Sequence, residues 1–193
     1  GSTDNSLKEI NMLKKNNSKI KLLNLKKNMG QSYALREGII SSNFNSIVTI
    51  DGDGQNNPKD IPMLLNIFFK NKFICLVGGI RVKRKDSFTK KLTSKMANIL
   101  RSFILNDNCI DTGCSLKVFE KKIFLQFPYF SGMHRFLPAL FLGYGTKTTF
   151  VNVDHRARTF GKSKYDTLGR FVRGVRDIIK VILIIREIKK KRV

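Results

Sequence analysis

Few residues in this chain can bind a soft metal: there are two histidines and three cysteines among 193 residues. Cys75, Cys109 and Cys114 cannot all pair with one another, and their spacing matches no metal-ligand pattern. They read as reduced thiols. Acidic residues are scarce, 14 against 37 Lys and Arg, for a net charge of +23. Such a field attracts polyanions: nucleic acid, an anionic membrane or phosphorylated substrates. No recognisable nucleic-acid motif accompanies the charge, and the aromatics are mostly Phe inside apolar runs. Long apolar runs are missing as well. The longest near the C-terminus is Val181–Ile185, far short of the roughly 20 residues a spanning helix needs. The first residues show no leader pattern, and the chain has no internal repeat or low-complexity linker. Wholesale disorder is excluded by a hydrophobic share of 41%, which is ordinary for a folded domain.

What the chain does have is apolar periodicity that switches between the helical and strand forms. Helices are expected at 5–15, 31–42, from about 58 or 60 to 70, from about 87 to 105, at 134–142 and at 166–190. Strands are expected at 20–25, 46–50, 73–77, 115–119 and 146–154. The alternation predicts an α/β domain over 1–165 with a mostly parallel sheet flanked by helices. Ligands of such sheets sit beyond the carboxyl ends of the strands.

The loop after 46–50 is in that position and reads Asp51-Gly52-Asp53-Gly54-Gln55. Two carboxylates two residues apart at a strand end can share one hard cation, and their oxygens suit Mg²⁺ or Mn²⁺. A cation there offsets charge building on a leaving diphosphate. The plain alternative is a turn in which Asp and Gly merely suit the backbone. Arg156 and Arg158, two residues apart on an expected strand, point one way, as two phosphate ligands or as an exposed basic edge. Arg135 reads as a site residue or as the partner of a helix carboxylate. His134 and His155 read as structural, and Cys114 as packing.

The segment Val48-Thr49-Ile50-Asp51-Gly52-Asp53-Gly54-Gln55-Asn56-Asn57-Pro58 resembles the D-x-D-x-Q segment of the polyprenyl-phosphate sugar transferases in glycosyltransferase family 2. These include the dolichyl-phosphate mannosyltransferases and their bacterial undecaprenyl-phosphate relatives. Five further stretches resemble family segments in order: 1–6, 28–31, 78–81, 111–117, and 132–136 with 155–165. The resemblance implies a GT-A fold. It implies that Asp51, Asp53 and Gln55 hold Mg²⁺ or Mn²⁺ and the donor diphosphate, and that Asp4, Asn28 and Gly30 lie near the nucleoside. Arg81, Arg135, Arg156, Arg158 and Lys164 contact the diphosphate or lipid phosphate, with Ser163 adding a hydroxyl. Asp111 lies near the reacting centre.

The implied reaction moves a sugar from GDP-mannose or a UDP-sugar to undecaprenyl or dolichyl phosphate, with inversion. Asp53, Asp111 and Arg135 are the catalytic candidates. An acceptor phosphate is already anionic at neutral pH, so positioning and charge neutralisation matter more than a strong base. Asp111 then orients acceptor or sugar rather than taking a proton. The family's first strand and paired aspartates are expected upstream of Gly1, so the chain reads as N-terminally truncated. Other readings are a transferase using a hydroxyl acceptor, an inactive fragment and a basic binding module. Nucleic acid is not an expected partner.

From residue 155 onward there are thirteen Lys and Arg against three carboxylates. Leu168, Val172, Val175, Ile179, Ile182 and Ile185 share one helical stripe. The stretch 166–193 therefore reads as a basic amphipathic helix on an anionic membrane, with the protein peripheral at the cytoplasmic face. Docking of that helix on the domain core is the alternative.

Overall fold

The structure is a computed structural model describing residues 1–82, 99, 101–156 and 168–190, with backbone alone at 168–173. Its elements are helices α1 (Ser6–Asn16), α2 (Gln31–Ile40) and α3 (Ile61–Lys70), strands β1 (Ser46–Thr49), β2 (Ile74–Arg81) and β3 (Lys117–Glu120), a single helical turn α4 (Lys121–Phe124), helix α5 (Leu137–Gly143), strand β4 (Lys147–Val153) and helix α6 (Leu168–Lys190). The backbone is also helical at 101–105. Most of the helix expected at 87–105 lies outside the described residues.

The sheet is mixed, in the order β1-β3-β2-β4. β1, β2 and β4 share one direction, as expected, but β3 runs against them between β1 and β2. Three of the four described strands thus run one way, in keeping with the expected mostly parallel sheet, while among the described pairs β2–β4 alone is parallel because β3 is inserted in reverse. Hydrophobic periodicity carries no strand direction, so the reversal was invisible in the sequence. One correction concerns residues 20–25. Ile20, Leu22 and Leu25 are half-buried, but no described strand pairs with them, and without a ladder partner extended backbone is not a strand. The Gly1 amino group donates instead to the Leu25 carbonyl at 2.6 Å.

Alternation along the strands gives the sheet two apolar faces. One face packs Val77, Leu116, Val118 and Val153 against Leu64 and Phe68, one turn apart on α3. The other packs Leu76 and Phe119 against α5 and α6. Pro62 suits the first turn of α3, and the Asn57 side chain accepts the Lys59 N–H just before it.

α6 docks on the core. Val181 is fully buried, and Ile178, Ile182, Ile185 and Ile188 pack around it. A Cβ on Gly143 of α5 would stand 2.5 Å from an Ile185 methylene, so glycine permits this close approach. The stripe expected from sequence is therefore split. Ile182 and Ile185 face the core, Val175 and Ile179 are exposed with Leu183, and the side chains of Leu168 and Val172 lie outside the described residues. At 100° per residue the apolar positions of α6 cover roughly 260° of its circumference, more than one contact face needs. No described helix is long and apolar enough to cross a membrane.

Candidate active site

β1 ends at Thr49, and the 51–57 loop leaves the carboxyl edge of the sheet. Four ties hold it. Gln31 Nε2, in the first turn of α2, donates to Asp51 Oδ1 at 2.9 Å. The Asp51 N–H donates to Ser115 Oγ at 3.1 Å, and that hydroxyl donates to Asn56 Oδ1 at 2.6 Å. The Gln55 N–H donates to Asp53 Oδ1 at 3.1 Å. Asn56 is 5% exposed and reaches Cys114 Sγ with its amide. Asp51 and Asp53 are thus set on a loop whose backbone is fixed from α2 on one side and the 111–117 turn on the other.

The second half of the chain meets the same loop. Asn56 and His155 form an antiparallel bridge, and the Arg156 N–H donates to the Gln55 carbonyl at 2.9 Å. Arg156 Nη2 donates to Asn57 Oδ1 at 2.7 Å, and Asn57 Nδ2 donates to Asp154 Oδ2 at 3.3 Å. Arg156 therefore meets the Gln55–Asn57 end of the loop that carries the two carboxylates, on a bridging segment just past β4 rather than on a strand. Arg158, Ser163 and Lys164 lie outside the described residues.

Arg81 ends β2 and grips Asp111. Its Nε and Nη2 donate at 2.8 Å to the two carboxylate oxygens, and its backbone N–H adds a third bond at 3.0 Å. The bidentate pair is nearly buried, and such geometry is both strong and directional. Each of these predicted phosphate or reaction residues is thus engaged with the other, one turn from Ser115.

Other expected residues have local duties. Gly30, at φ +82, precedes α2, and Asn28 Oδ1 accepts its N–H at 3.0 Å. Asp4 Oδ1 accepts the Ser6 N–H at the start of α1. Arg135 Nη2 donates to Asp177 Oδ2 of α6 at 2.7 Å, the helix-carboxylate alternative for this residue. Gly132 sits at φ +94, and a Cβ there would meet both members of that pair at 2.8 Å. His134 Nδ1 lies 2.6 Å from Ser32 Oγ, which also accepts the Gly132 N–H. Burial, reinforced by Lys117 and Arg135, lowers the His134 pKa to about 3 and keeps the ring neutral.

Sequence reasoning missed Gln31, Asn56, Ser115 and Lys117. Lys117 opens β3, is 4% exposed, and its ammonium donates to the Cys114 carbonyl. Burial lowers its pKa, against the opposing pull of Cys114, Cys109, Asp111 and Asp51. It lines a cleft with Gln31, Thr49, Asp51, Ser115 and His134. Burial also raises the Cys114 thiol above its usual value, which suits packing rather than nucleophilic work.

The donor chemistry fits a hard divalent cation: two carboxylates on one braced loop are hard oxygen donors. No described group of three or more His, Cys, Asp or Glu side chains encloses an ion, so further ligands would come from a bound diphosphate or water.

Comparison with known proteins agrees with this architecture. The description of Glycosyl transferase family 2 matches residues 1–127. A dodecaprenyl-phosphate galacturonate synthase from Rhizobium johnstonii is 34% identical over 169 residues, 86% of this chain and 50% of the relative. An undecaprenyl-phosphate 4-deoxy-4-formamido-L-arabinose transferase from Yersinia pestis is 31% identical over 180 residues, 93% of this chain and 54% of the relative. The chain spans about half the length of these curated relatives. Among solved structures, glucosyl-3-phosphoglycerate synthase from Mycobacterium tuberculosis, in complex with Mn²⁺, UDP and glucosyl-3-phosphoglycerate, superposes with a TM-score of 0.61. The match covers 95% of this chain and 65% of that one at 15% identity, a likeness of fold.

Proposed function

This chain belongs to Glycosyl transferase family 2, and from that premise we propose that it transfers a sugar from a nucleotide diphosphate donor to a polyprenyl phosphate. The observation that carries the reading is the bonded seam between 55–57 and 154–156, which ties Arg156 to the loop that carries Asp51 and Asp53. Polyprenyl phosphate is favoured over a hydroxyl acceptor by the two relatives' names and by a cation at the mouth of the carboxylate loop.

Asp51 and Asp53, with Gln55 in support, would hold Mg²⁺ or Mn²⁺, which supplies charge neutralisation on the diphosphate. The protein's own residues do the positioning. Gln31 holds the Asp51 carboxylate, Ser115 holds the Asp51 backbone N–H, and Asn56 ties its loop to the Asp111 turn. Arg156 offsets repulsion as the anionic acceptor approaches, joined by Arg158, Ser163 and Lys164 on the same segment of sequence. Asp111, held by three donors from Arg81, orients the acceptor or the sugar rather than takes a proton. Attack by the phosphate oxygen forms the new bond to the sugar as the nucleoside diphosphate leaves, with inversion.

The membrane contact falls to the exposed row Val175, Ile179 and Leu183, bordered by Arg176, Lys180 and Arg186. An apolar strip flanked by cations suits an anionic lipid surface. Three free, buried cysteines suit a reducing compartment and so the cytoplasmic face.

The test is a donor panel of labelled UDP- and GDP-sugars with Mn²⁺ or Mg²⁺, offered undecaprenyl phosphate, dolichyl phosphate or undecaprenol. Transfer to a phosphate and not to the alcohol supports the reading. Transfer to the alcohol or to a saccharide hydroxyl alone would sink it.

A further inference from the structure

α6 docks on the core through a row of isoleucines around Val181, yet Asp177, one turn before Val181, is buried on that same side. Packing alone would put an apolar side chain there, because a buried carboxylate is costly unless it is paired. Its partner is Arg135, whose Nη2 donates to Asp177 Oδ2 at 2.7 Å. The backbone is fitted to this pair. At Gly132, in the left-handed region at φ +94, a Cβ would stand 2.8 Å from both Arg135 Nη2 and Asp177 Oδ2. Ser32 Oγ accepts the Gly132 N–H at 2.9 Å, and Ser32 follows Gln31, the donor to Asp51.

The pair does not use up the arginine. Among the described residues the Arg135 side chain donates from Nη2 alone, it is 36% exposed, and none of its nitrogens is buried without a partner. Its other N–H groups are therefore open to solvent. A guanidinium braced through one nitrogen keeps a planar set of donors for a second anion, and phosphate matches that geometry. The two residues before Arg135, Met133 and His134, line the cleft that Asp51 also lines. Around α6, Val175 and Ile179 of the exposed row lie opposite Asp177. One helix thus holds the arginine with its inner face and turns its outer face to solvent.

We propose that Asp177 is a positioning residue for the acceptor: it fixes Arg135 through one nitrogen, so that the rest of the guanidinium receives the acceptor's phosphate. Asp177 also offsets the arginine's charge, so what the pair contributes is orientation rather than attraction. This rests on the phosphate-acceptor reading in the proposed function.

The test uses the purified chain and farnesyl phosphate, a soluble prenyl phosphate, with the labelled nucleotide sugar that the donor panel selects. Asp177→Asn should raise KM for farnesyl phosphate about tenfold, as a displaced contact does, and leave KM for the nucleotide sugar within about twofold. Asp177→Glu should recover part of the loss. Removing one partner of a buried pair can unfold a protein, so a second variant, Arg135→Met with Asp177→Leu, replaces both by apolar side chains. Its thermal midpoint should stay level or rise. By titration calorimetry it should bind farnesyl phosphate at least about tenfold more weakly than wild type, while floating with phosphatidylglycerol vesicles as wild type does. A merely structural pair gives unchanged acceptor KM and affinity in every folded variant. A charge effect alone gives tighter acceptor binding in Asp177→Asn. Either result overturns the proposal. So does loss of vesicle binding with farnesyl phosphate affinity intact, which would give Arg135 to a bilayer headgroup, and so does failure of the double variant to fold. Wild type that transfers to no prenyl phosphate overturns the proposed function as well. Wild type that transfers while folded variants match it overturns this inference alone.

Discussion

Asn56 carries more of the site than its place in the sequence suggests. It accepts from Ser115, reaches Cys114, and bridges to His155, so three loops meet at one buried amide. Asn56→Ala should cost about 1–3 kcal/mol in urea unfolding, since the Ser115 hydroxyl loses a buried partner, and should slow transfer. Full stability in that variant would contradict the junction described here. His134 gives a pH signature. It titrates near ~6.5 in the unfolded chain and at about 3 in the fold. Between those values the unfolded state binds the extra proton, so stability rises with pH and is lost as pH falls from about 6.5 towards 3. The slope from this group is at most about 1.4 kcal/mol per pH unit. His134→Gln should remove that share of the slope, and identical slopes in both proteins would contradict a neutral buried ring. At this scale Asp51 and Asp53 were legible because a polar pair after an apolar run is a local pattern. Asn56 and Lys117 were not, because burial of a polar side chain is set by elements far apart in the chain. Arg135 was legible as a choice between two partners, and geometry gives it Asp177.

Among elements, α6 shows how a docking face and a free face share one helix. Gly143→Val would push a side chain into Ile185 and should cost about 1–3 kcal/mol by overpacking, read by denaturant unfolding. An unaltered midpoint would mean α6 does not sit against α5 as described. The outer row predicts the opposite pattern. Ile179→Ser with Leu183→Ser should leave the midpoint within about 0.5 kcal/mol, as exposed substitutions do. The same pair should weaken binding to phosphatidylglycerol vesicles several-fold in a flotation assay. Retained binding would move the membrane contact elsewhere. Helix and strand positions were mostly legible from periodicity, with α1, α2, β1, α3 and β4 near their expected bounds. The reversed β3 and the unpaired 20–25 stretch were not, because strand direction and pairing depend on neighbours. The apolar arc of α6 was legible as broad. Which part of it meets the core was decided by α5, which the helix's own sequence does not contain.

For the whole molecule, the net charge of +23 suits long-range attraction to phosphate-bearing partners. Contacts of this kind weaken with salt, as surface electrostatics do once the Debye length falls below about 10 Å. The two halves of the chain converge on one loop, and that convergence is the claim on which the functional account stands. Its most direct test is metal-dependent transfer of labelled sugar to undecaprenyl phosphate by wild type, Asp53→Ala and Arg156→Ala proteins of equal stability. The account predicts that chelation of the divalent ion or Asp53→Ala abolishes transfer, and that Arg156→Ala lowers it at least about tenfold, the loss of one charge-assisted contact. Transfer that survives both chelation and Asp53→Ala would contradict it.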